Sequence, residues 1–188
     1  MISLIDYDVG NINSLANLLK DLNIEFCITR DKNKIKNSTR IILPGVSNFS
    51  HSMNNIIKLG LDKVLEVEII DKKKPVLGIC SGMQILCTSS EEGHANGLNF
   101  VNGKIKKFPE DLILRVPHIG WNKIQANNNS LFKNIDSEER FLRMKDSFES
   151  FHRGNIDFWL INVRGIYKKK VHSFFNKRIK KKKLKISF

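Results

Sequence analysis

Cys80 is the residue whose type and surroundings most favour covalent chemistry. It lies midway between Gly78 and Gly82, and Gly-x-Cys-x-Gly is the cysteine form of the strained strand-to-helix turn known as a nucleophile elbow. The apolar pair Val76-Leu77 predicts a buried strand before it, and residues 83–86 continue at helical spacing after it. A helix N-terminus favours thiolate over thiol, so this setting favours nucleophilic attack. The competing interpretation is a small buried cysteine between two packing glycines.

A second candidate is the loop at residues 44–49, Pro-Gly-Val-Ser-Asn-Phe, which follows the predicted strand Arg40–Leu43. Backbone N–H groups of such a loop can stabilise developing negative charge when no side chain obstructs them. On its own, Pro-Gly after a strand indicates only a turn. Ligands of parallel sheets, however, bind at the carboxyl ends of the strands. Both the loop and Cys80 follow predicted strands, so we expect them at one edge of one sheet.

The elements that must position these candidates alternate between strand and helix along the chain. We predict strands at 2–6, 25–28, 40–43 and 76–77, helices at 12–22 and 50–70, and a loop or exposed helix at 30–40. Such alternation with right-handed crossovers predicts a doubly wound, mostly parallel α/β sheet of the flavodoxin-like type.

Length and composition are those of an ordinary soluble domain. The chain has 188 residues, of which 41% are hydrophobic and 27% charged. No apolar run is long enough to span a bilayer, and Asp6 follows the first residues too early for a secretory signal. Three cysteines without framework spacing indicate a reducing compartment. We therefore expect a cytoplasmic protein that does not associate with membranes.

The positive charge is concentrated in the last quarter of the chain. Residues 1–140 hold 18 Lys and Arg against 16 Asp and Glu, whereas residues 141–188 hold 14 against three. We therefore divide the chain into a main domain at 1–140 and a divergent, strongly basic segment at 141–188. A basic segment often binds nucleic acid, but no recognisable nucleic-acid module or aromatic stacking platform accompanies this one.

The motifs together resemble a known family. The stretch from Pro75 to Gln84, Pro-x-Leu-Gly-Ile-Cys-x-Gly-Met-Gln, is similar to the nucleophile motif of the class I (triad) glutamine amidotransferases. Leu43 to Val46 resembles the Leu-Pro-Gly-Val of the same family, with Ser47 in place of its next glycine. Pro117 to Asn122 resembles a Pro-His-Met-Gly-Trp-Asn segment found in the glutaminase subunits of imidazole glycerol phosphate synthase, a histidine-biosynthesis enzyme. The resemblance covers roughly residues 1–125.

This resemblance implies hydrolysis of glutamine to glutamate and ammonia, without metal or organic cofactor. Cys80 would be the nucleophile, and the backbone N–H groups of Val46 and Ser81 would bind the oxyanion. The residues expected to contact glutamine are Gly45, Gln84 and Glu92.

The resemblance also implies a partner. In this family the ammonia passes to a cyclase subunit, with which the glutaminase forms a heterodimer. The residues that would face the cyclase are Asn11, His118 and Trp121. Asp8 stands where the family has a glycine; aspartate tolerates the positive φ that such a turn demands.

The resemblance fails where the family carries its base and the carboxylate that orients it, within His-Pro-Glu. Here His172 is followed by Ser173 and Phe174, and a phenylalanine cannot accept a hydrogen bond from an imidazole. His172 is the candidate base, and His152 is a weaker rival.

Segment 141–188 therefore has three open interpretations. It is a basic appendage, a decayed end of the same domain, or the product of a shifted reading frame. The function has alternatives too. A binding subunit without activity, a related glutaminase serving surface-sugar amidination, and, least favoured, a nucleic-acid-binding protein all compete with the active amidotransferase.

Overall fold

The computed structural model describes residues 1–107 and, beyond them, the backbone of four strands at 118–123, 140–145, 148–152 and 159–161. The helices are α1 (Ile12–Asp21), α2 (Lys32–Asn37), α3 (Phe49–Lys58), α4 (Asp62–Glu66) and α5 (Ser81–Gln84), with a π-helix at Val67–Asp71 and a 3₁₀ turn at Glu92–His94. The strands are β1 (Ile2–Ile5), β2 (Phe26–Thr29), β3 (Arg40–Leu43), β4 (Val76–Ile79), β5 (Cys87–Ser90), β6 (Ala95–Asn96), β7 (Val101–Lys107), β8 (His118–Lys123), β9 (Arg140–Lys145), β10 (Phe148–His152) and β11 (Trp159–Ile161).

Five parallel strands form the central sheet, in the order β11-β4-β3-β1-β2. Taken from the β2 edge, the order is that of flavodoxin-like sheets, whose ligand crevice lies where the strand order reverses. Here that point is between β1 and β3. The predicted doubly wound α/β fold is therefore confirmed, and the strand bounds agree with the sequence to within a residue or two.

Helices cover both faces of the central sheet. Leu15, Ala16 and Leu19 of α1 pack with Leu4 and other strand residues on one face. Side chains of α3 and α4 pack on the other face in a larger cluster, whose members include Phe49, Met53, Ile56, Val64 and Leu65. The 3.6-residue spacing of apolar positions in α1 and α3 produces these buried stripes. The packing fixes the strands whose carboxyl ends carry the candidate site.

A second sheet lies outside the predicted architecture. Its order is β10-β7-β5-β6, with β5 and β7 parallel and the other pairs antiparallel. Strands β8 and β9 pair antiparallel in a further sheet. The basic segment contributes a strand to each larger sheet, because β10 pairs with β7 and β11 with β4. The division at residue 140 stays a prediction.

Two helix predictions need correction. The helix after Cys80 ends at Gln84 after a single turn, and the chain then enters β5 instead of continuing helical through residue 86. Thr88 and Ser89 are weak helix formers, which favours this early exit. The predicted helix at 50–70 is broken at Gly60, whose φ of +61° suits a glycine, and resumes as α4 and the π-helix.

A buried carboxylate joins the π-helix to the start of β4. Glu68 is wholly buried, and its two oxygens lie 2.7 Å from the Nζ atoms of Lys72 and Lys74. Lys74 also donates to the carbonyls of Ile35 and Lys36 near the end of α2. Burial acts to raise the pKa of Glu68, but the two lysines outweigh it and hold that pKa below its ordinary value. The carboxylate is therefore ionised and paired inside the fold.

Candidate active site

The backbone of Cys80 is held in an unfavourable conformation. Its φ is +55° and its ψ is −123°, which lies outside even the left-handed helical region. Such a conformation costs on the order of 1–3 kcal/mol in a residue with a side chain, and persists only where its surroundings enforce it. Cys80 joins β4 to α5, so the predicted strand–turn–helix is confirmed. The turn leaves the cysteine half-buried at the carboxyl edge of the sheet.

Two glycines enforce this turn because their neighbours leave no room for a side chain. A Cβ on Gly78 would lie 2.6 Å from the Cα of Met83, and one on Gly82 would lie 2.1 Å from the carbonyl oxygen of Leu43. Contacts this short do not occur for real side chains. The helix therefore starts directly against β4 and against the end of β3.

The loop after β3 touches the elbow, as the sequence predicts. A Cβ on Gly45 would lie 2.1 Å from the backbone nitrogen of Gly82 and 2.3 Å from Ser81 Oγ. Two segments that are far apart in the sequence therefore meet backbone to backbone, at the edge where parallel sheets bind ligands. Val46 follows Gly45 in this loop, and its side chain is 63% exposed.

Three side chains from other elements hold the loop at residues 44–49. The Tyr7 hydroxyl donates to the carbonyl oxygen of Pro44, Ser81 Oγ accepts from the backbone N–H of Ser47 at 3.3 Å, and Glu92 Oε2 accepts from the N–H of Phe49 at 3.0 Å. The loop is thus fixed at its start, its middle and its end.

Tyr7 and the hydroxyl of Ser81 are functional candidates that the sequence interpretation missed. Tyr7 is wholly buried, and its own carbonyl accepts from Asn55 Nδ2 at 3.0 Å. Burial raises the pKa of the Tyr7 hydroxyl well above its ordinary value, and the negative charge of a nearby Cys80 thiolate raises it further. The phenol therefore remains a hydrogen-bond donor beside the candidate nucleophile. A signal in the sequence is the position of Tyr7 directly after the first strand.

Glu92 and Gln84, the expected glutamine ligands, lie on neighbouring elements. Gln84 is buried at the end of α5, whereas Glu92 is partly exposed at the start of the 3₁₀ turn. The Glu92 backbone N–H donates to Ser90 Oγ at 2.9 Å, and the bond from Phe49 occupies one of its carboxylate oxygens. A carboxylate can accept several hydrogen bonds, so this arrangement is compatible with a ligand amine at the other oxygen.

Asn11, an expected partner contact, lies in the turn between β1 and α1. Its side chain is exposed and caps α1 by accepting from the N–H of Ser14 at 3.3 Å. In the same turn Asp8 has a φ of +61°, as expected where a glycine is replaced. Arg30 at the end of β2 holds Asp8 and Asp6, each at 2.6 Å. The carboxylates raise the pKa of Arg30 further above its ordinary value.

The remaining predicted residues are positioned less fully. His118 and Trp121 belong to β8, whose backbone pairs with β9. His152 is the last residue of β10 and pairs with Gly103 of β7. His172, with Ser173 and Phe174, lies outside the described residues, so the identity of the base stays a prediction.

The other two cysteines differ from Cys80. Cys87 is wholly buried in β5, and this burial raises the pKa of its thiol to about 12, which keeps it protonated. Cys27 lies in β2 with its sulfur 3.8 Å from Ser3 Oγ. Within the part of the chain that the structure describes, no three His, Cys, Asp or Glu side chains cluster to hold a metal ion. In that same part no helix has the length and apolar character to cross a bilayer.

Comparison with known proteins agrees with this geometry. The model of the family "Glutamine amidotransferase class-I" matches residues 3–184. Two solved structures share the fold: a glutamine amidotransferase (TM-score 0.60, 13% identity, 82% of this chain and 75% of the other) and a Thermoplasma acidophilum protein assigned to GMP synthase (TM-score 0.63, 14% identity, 93% and 91%). The chain belongs to the class I glutamine amidotransferase family.

The curated relatives are more specific. The imidazole glycerol phosphate synthase subunit HisH of Leptospira borgpetersenii is 44% identical over 145 residues, which cover 75% of this chain and 71% of the relative. HisH of Bdellovibrio bacteriovorus is 38% identical over 167 residues, covering 87% and 81%. The chain is thus similar to HisH subunits over most of its length. The family match at 3–184 also includes most of the basic segment at 141–188.

Proposed function

We propose that this chain is the glutamine amidotransferase subunit of an imidazole glycerol phosphate synthase. It hydrolyses glutamine to glutamate and ammonia, and the ammonia goes to a cyclase subunit that makes imidazole glycerol phosphate in histidine biosynthesis. The observation that carries the proposal is Cys80, held at φ +55° in an elbow that packs directly against the loop of Gly45. The names of the relatives supply the pathway.

The chemistry follows from the positions of these groups. The Cys80 sulfur attacks the carboxamide carbon of glutamine, and the amide oxygen takes on negative charge. The backbone N–H groups of Val46 and Ser81 belong to the two segments that meet at this edge, and we assign them to the oxyanion. When the tetrahedral intermediate collapses, the C–N bond breaks, the nitrogen takes a proton and leaves as ammonia, and a thioester remains. Water then hydrolyses the thioester to glutamate and frees the thiol.

The proton must pass from the thiol to the leaving ammonia through a base. His172 is the candidate predicted from the sequence. A positioned base contributes about 10²–10⁴-fold to such a reaction. A chain whose base lacks an orienting carboxylate is therefore expected to be slower than its relatives, but not inert.

Glutamine itself is bound by the surroundings of the elbow. We assign its α-amino group to the other carboxylate oxygen of Glu92, and its side-chain amide to the vicinity of Gln84 and Gly45. The bond that Glu92 accepts from Phe49 fixes its carboxylate without neutralising its charge, so the acid can pair with an ammonium group.

The cyclase partner would dock at the same edge of the sheet. Asn11 is exposed in the β1–α1 turn, and a Cβ on Gly10 of that turn would lie 3.8 Å from atoms of Gly45 and Val46. We propose that this turn, together with His118 and Trp121 of β8, forms the contact in a cytoplasmic heterodimer. A partner bound there would lie directly against the candidate oxyanion loop.

The test is ammonia release from glutamine, measured with and without the cyclase subunit of the same organism and its nucleotide ligand. Cys80→Ala should abolish turnover. Cys27→Ala, which removes a cysteine from β2 instead of the elbow, is the matched control and should retain it. Turnover that persists in Cys80→Ala would exclude this cysteine as the nucleophile. A stable complex without any turnover would instead favour the inactive binding subunit, for which Phe174 in the carboxylate position is the specific observation.

A further inference from the structure

The geometry points to Ser81 as a positioning residue: its hydroxyl sets the orientation of the oxyanion loop through the backbone N–H of Ser47. Ser81 Oγ lies 3.3 Å from that nitrogen. The inference rests on the proposed function, because it concerns the same loop and the same reaction. It assigns to the Ser81 side chain a task separate from that of the Ser81 backbone N–H.

The hydroxyl of Ser81 is enclosed by the loop that it holds. The residue is only 3% exposed, and a Cβ on Gly45 would lie 2.3 Å from its oxygen. The loop therefore wraps around this oxygen: Gly45 lies against it on one side, and the N–H of Ser47 donates to it. No water can take the place of the hydroxyl without displacing the loop.

Ser47 is held a second time, through its side chain. Its Oγ lies 2.7 Å from the Oγ of Ser52, which is wholly buried on α3. The Ser81 bond fixes the peptide N–H of Ser47, and the Ser52 bond fixes its side chain. A residue held at both points cannot turn its amide without breaking one of the two bonds.

These bonds determine the freedom of the peptide that matters for catalysis. The N–H assigned to the oxyanion belongs to Val46, between Pro44, which Tyr7 holds, and Ser47, which Ser81 holds. With both anchors in place, few backbone rotations remain between them. If the Ser81 anchor is lost, the Val46 amide is no longer preorganised. The transition state is then less stabilised, because negative charge develops on the amide oxygen there.

The experiment compares Ser81→Ala with the control Ser38→Ala. Ser38 is also buried and hydroxyl-bonded, to the carbonyl of Ile35, but directly follows α2, away from the site. In glutamine hydrolysis with the cyclase partner, Ser81→Ala should lower kcat about tenfold and leave KM within about twofold. Ser38→Ala should remain within about threefold of wild type.

Two further measurements separate positioning from a general structural effect. An aldehyde analogue of glutamine adds the Cys80 thiol across its C=O bond and places an oxyanion-like oxygen in the site. Ser81→Ala should weaken its binding about tenfold while barely affecting glutamine. Amide hydrogen exchange at Ser47, followed by NMR, should accelerate in Ser81→Ala and not in Ser38→Ala.

The outcomes are distinguishable. An unchanged kcat in a folded Ser81→Ala protein, or equal losses for glutamine and the aldehyde, would overturn the positioning role. Unchanged exchange at the Ser47 amide would do the same, even if Ser81→Ala proved too unstable for kinetics and only spectra could be recorded. Failure of the proposed function has a different signature, because wild-type protein would then release no ammonia with its partner. In that case the catalytic role of Ser81 fails with it.

Discussion

The two ends of strand β4 are fixed by different kinds of interaction. Just before the amino end of this strand, Lys74 forms an ion pair with the buried Glu68 and donates hydrogen bonds to backbone carbonyls of α2. At the carboxyl end, Cys80 leaves it through a turn in which Gly78 and Gly82 pack directly against backbone atoms. An ion pair therefore fixes the amino end of the strand, and close backbone packing fixes its carboxyl end.

The difference shows what each end can tolerate. An ion pair depends on pH and can be replaced by neutral groups of similar shape at moderate cost. Close packing of backbone atoms is insensitive to pH but cannot accept even one additional carbon. The end that carries the candidate chemistry is therefore the end whose geometry does not change with the protonation of its neighbours.

The largest effect should come from Cys80→Ala, which removes the nucleophile and retains the backbone geometry. We expect glutaminase activity to fall at least about 1,000-fold, equivalent to about 4 kcal/mol in the activation barrier. The free energy of unfolding should change little, because the side chain is only half-buried. Ammonia release and urea denaturation, run on the same preparation, measure both. A parallel loss of stability would show that Cys80 also contributes to packing.

Gly82→Ala tests the claim that the exit of β4 depends on volume. The new Cβ would lie 2.1 Å from the Leu43 oxygen and 2.8 Å from the Pro44 oxygen, neither of which can move without shifting β3 or its loop. We expect a loss of about 3 kcal/mol in the free energy of unfolding, at the upper end of overpacking costs. Denaturation at pH 5 and at pH 8 should give the same loss. A strongly pH-dependent loss would show that the carboxyl end of β4 is not fixed by backbone packing alone.

Glu68→Gln tests whether the amino end of β4 depends on a pH-sensitive ion pair. In the folded state the pKa of Glu68 is held below its ordinary value of 4.5. Ionised Glu68 therefore stabilises the fold at pH values above 4.5, and this stabilisation is lost as pH falls through the lower pKa of the folded state. At pH 7 we expect the variant to be less stable by about 2 kcal/mol, and the difference should shrink as pH falls below the ordinary value of 4.5.

The control for this prediction is Glu66→Gln. Glu66 pairs with Lys63 at 3.3 Å on the exposed face of α4, where ion pairs contribute little. Its stability should follow the wild type at every pH. If both variants showed the same pH profile, the profile would reflect overall charge rather than the buried pair.

The smallest effect should come from Cys80→Gly, which relieves the strain at the exit. Glycine adopts positive φ without the steric cost that a side chain imposes. We expect the unfolding free energy to rise by about 1 kcal/mol over that of Cys80→Ala, offset in part by the greater entropy of glycine in the unfolded chain. Thermal unfolding of the two variants side by side measures this difference. A glycine variant less stable than the alanine variant would show that the turn is not strained.

Sequence patterns predicted the central sheet well because its strands are short apolar runs separated by amphipathic helices. Arg40–Leu43 was predicted with its observed bounds, and Asp8 was expected to adopt its positive φ. The second sheet was missed, since β10 pairs with β7 from much further along the chain and β5, Cys-Thr-Ser-Ser, carries little apolar alternation. Local patterns do not encode such pairings.

The candidate site was predictable in part, for a related reason. Cys80 and Gly45 each belong to a short motif of consecutive residues, so the residue types and spacing within each motif indicated chemistry. The bonds that hold the loop join residues far apart: Tyr7 to Pro44 and Ser81 to Ser47. A tyrosine after a strand or a serine after a cysteine indicates nothing until the fold brings its partner close. The role of His172 remains a sequence prediction.

The pairing of β4 with β11 determines when, during folding, the strand that leads to Cys80 is completed on both sides. β4 has β3 on one side, which is close in the chain, but on its other side it pairs with Trp159–Ile161, which is synthesised much later. Non-local pairings of this kind form slowly because a long loop must close first. Until β11 pairs with it, the strand that carries the nucleophile is a sheet edge, open to pairing with other chains. A mutation near residue 160 could therefore reduce activity by favouring aggregation of newly made chains, without touching any residue at the elbow.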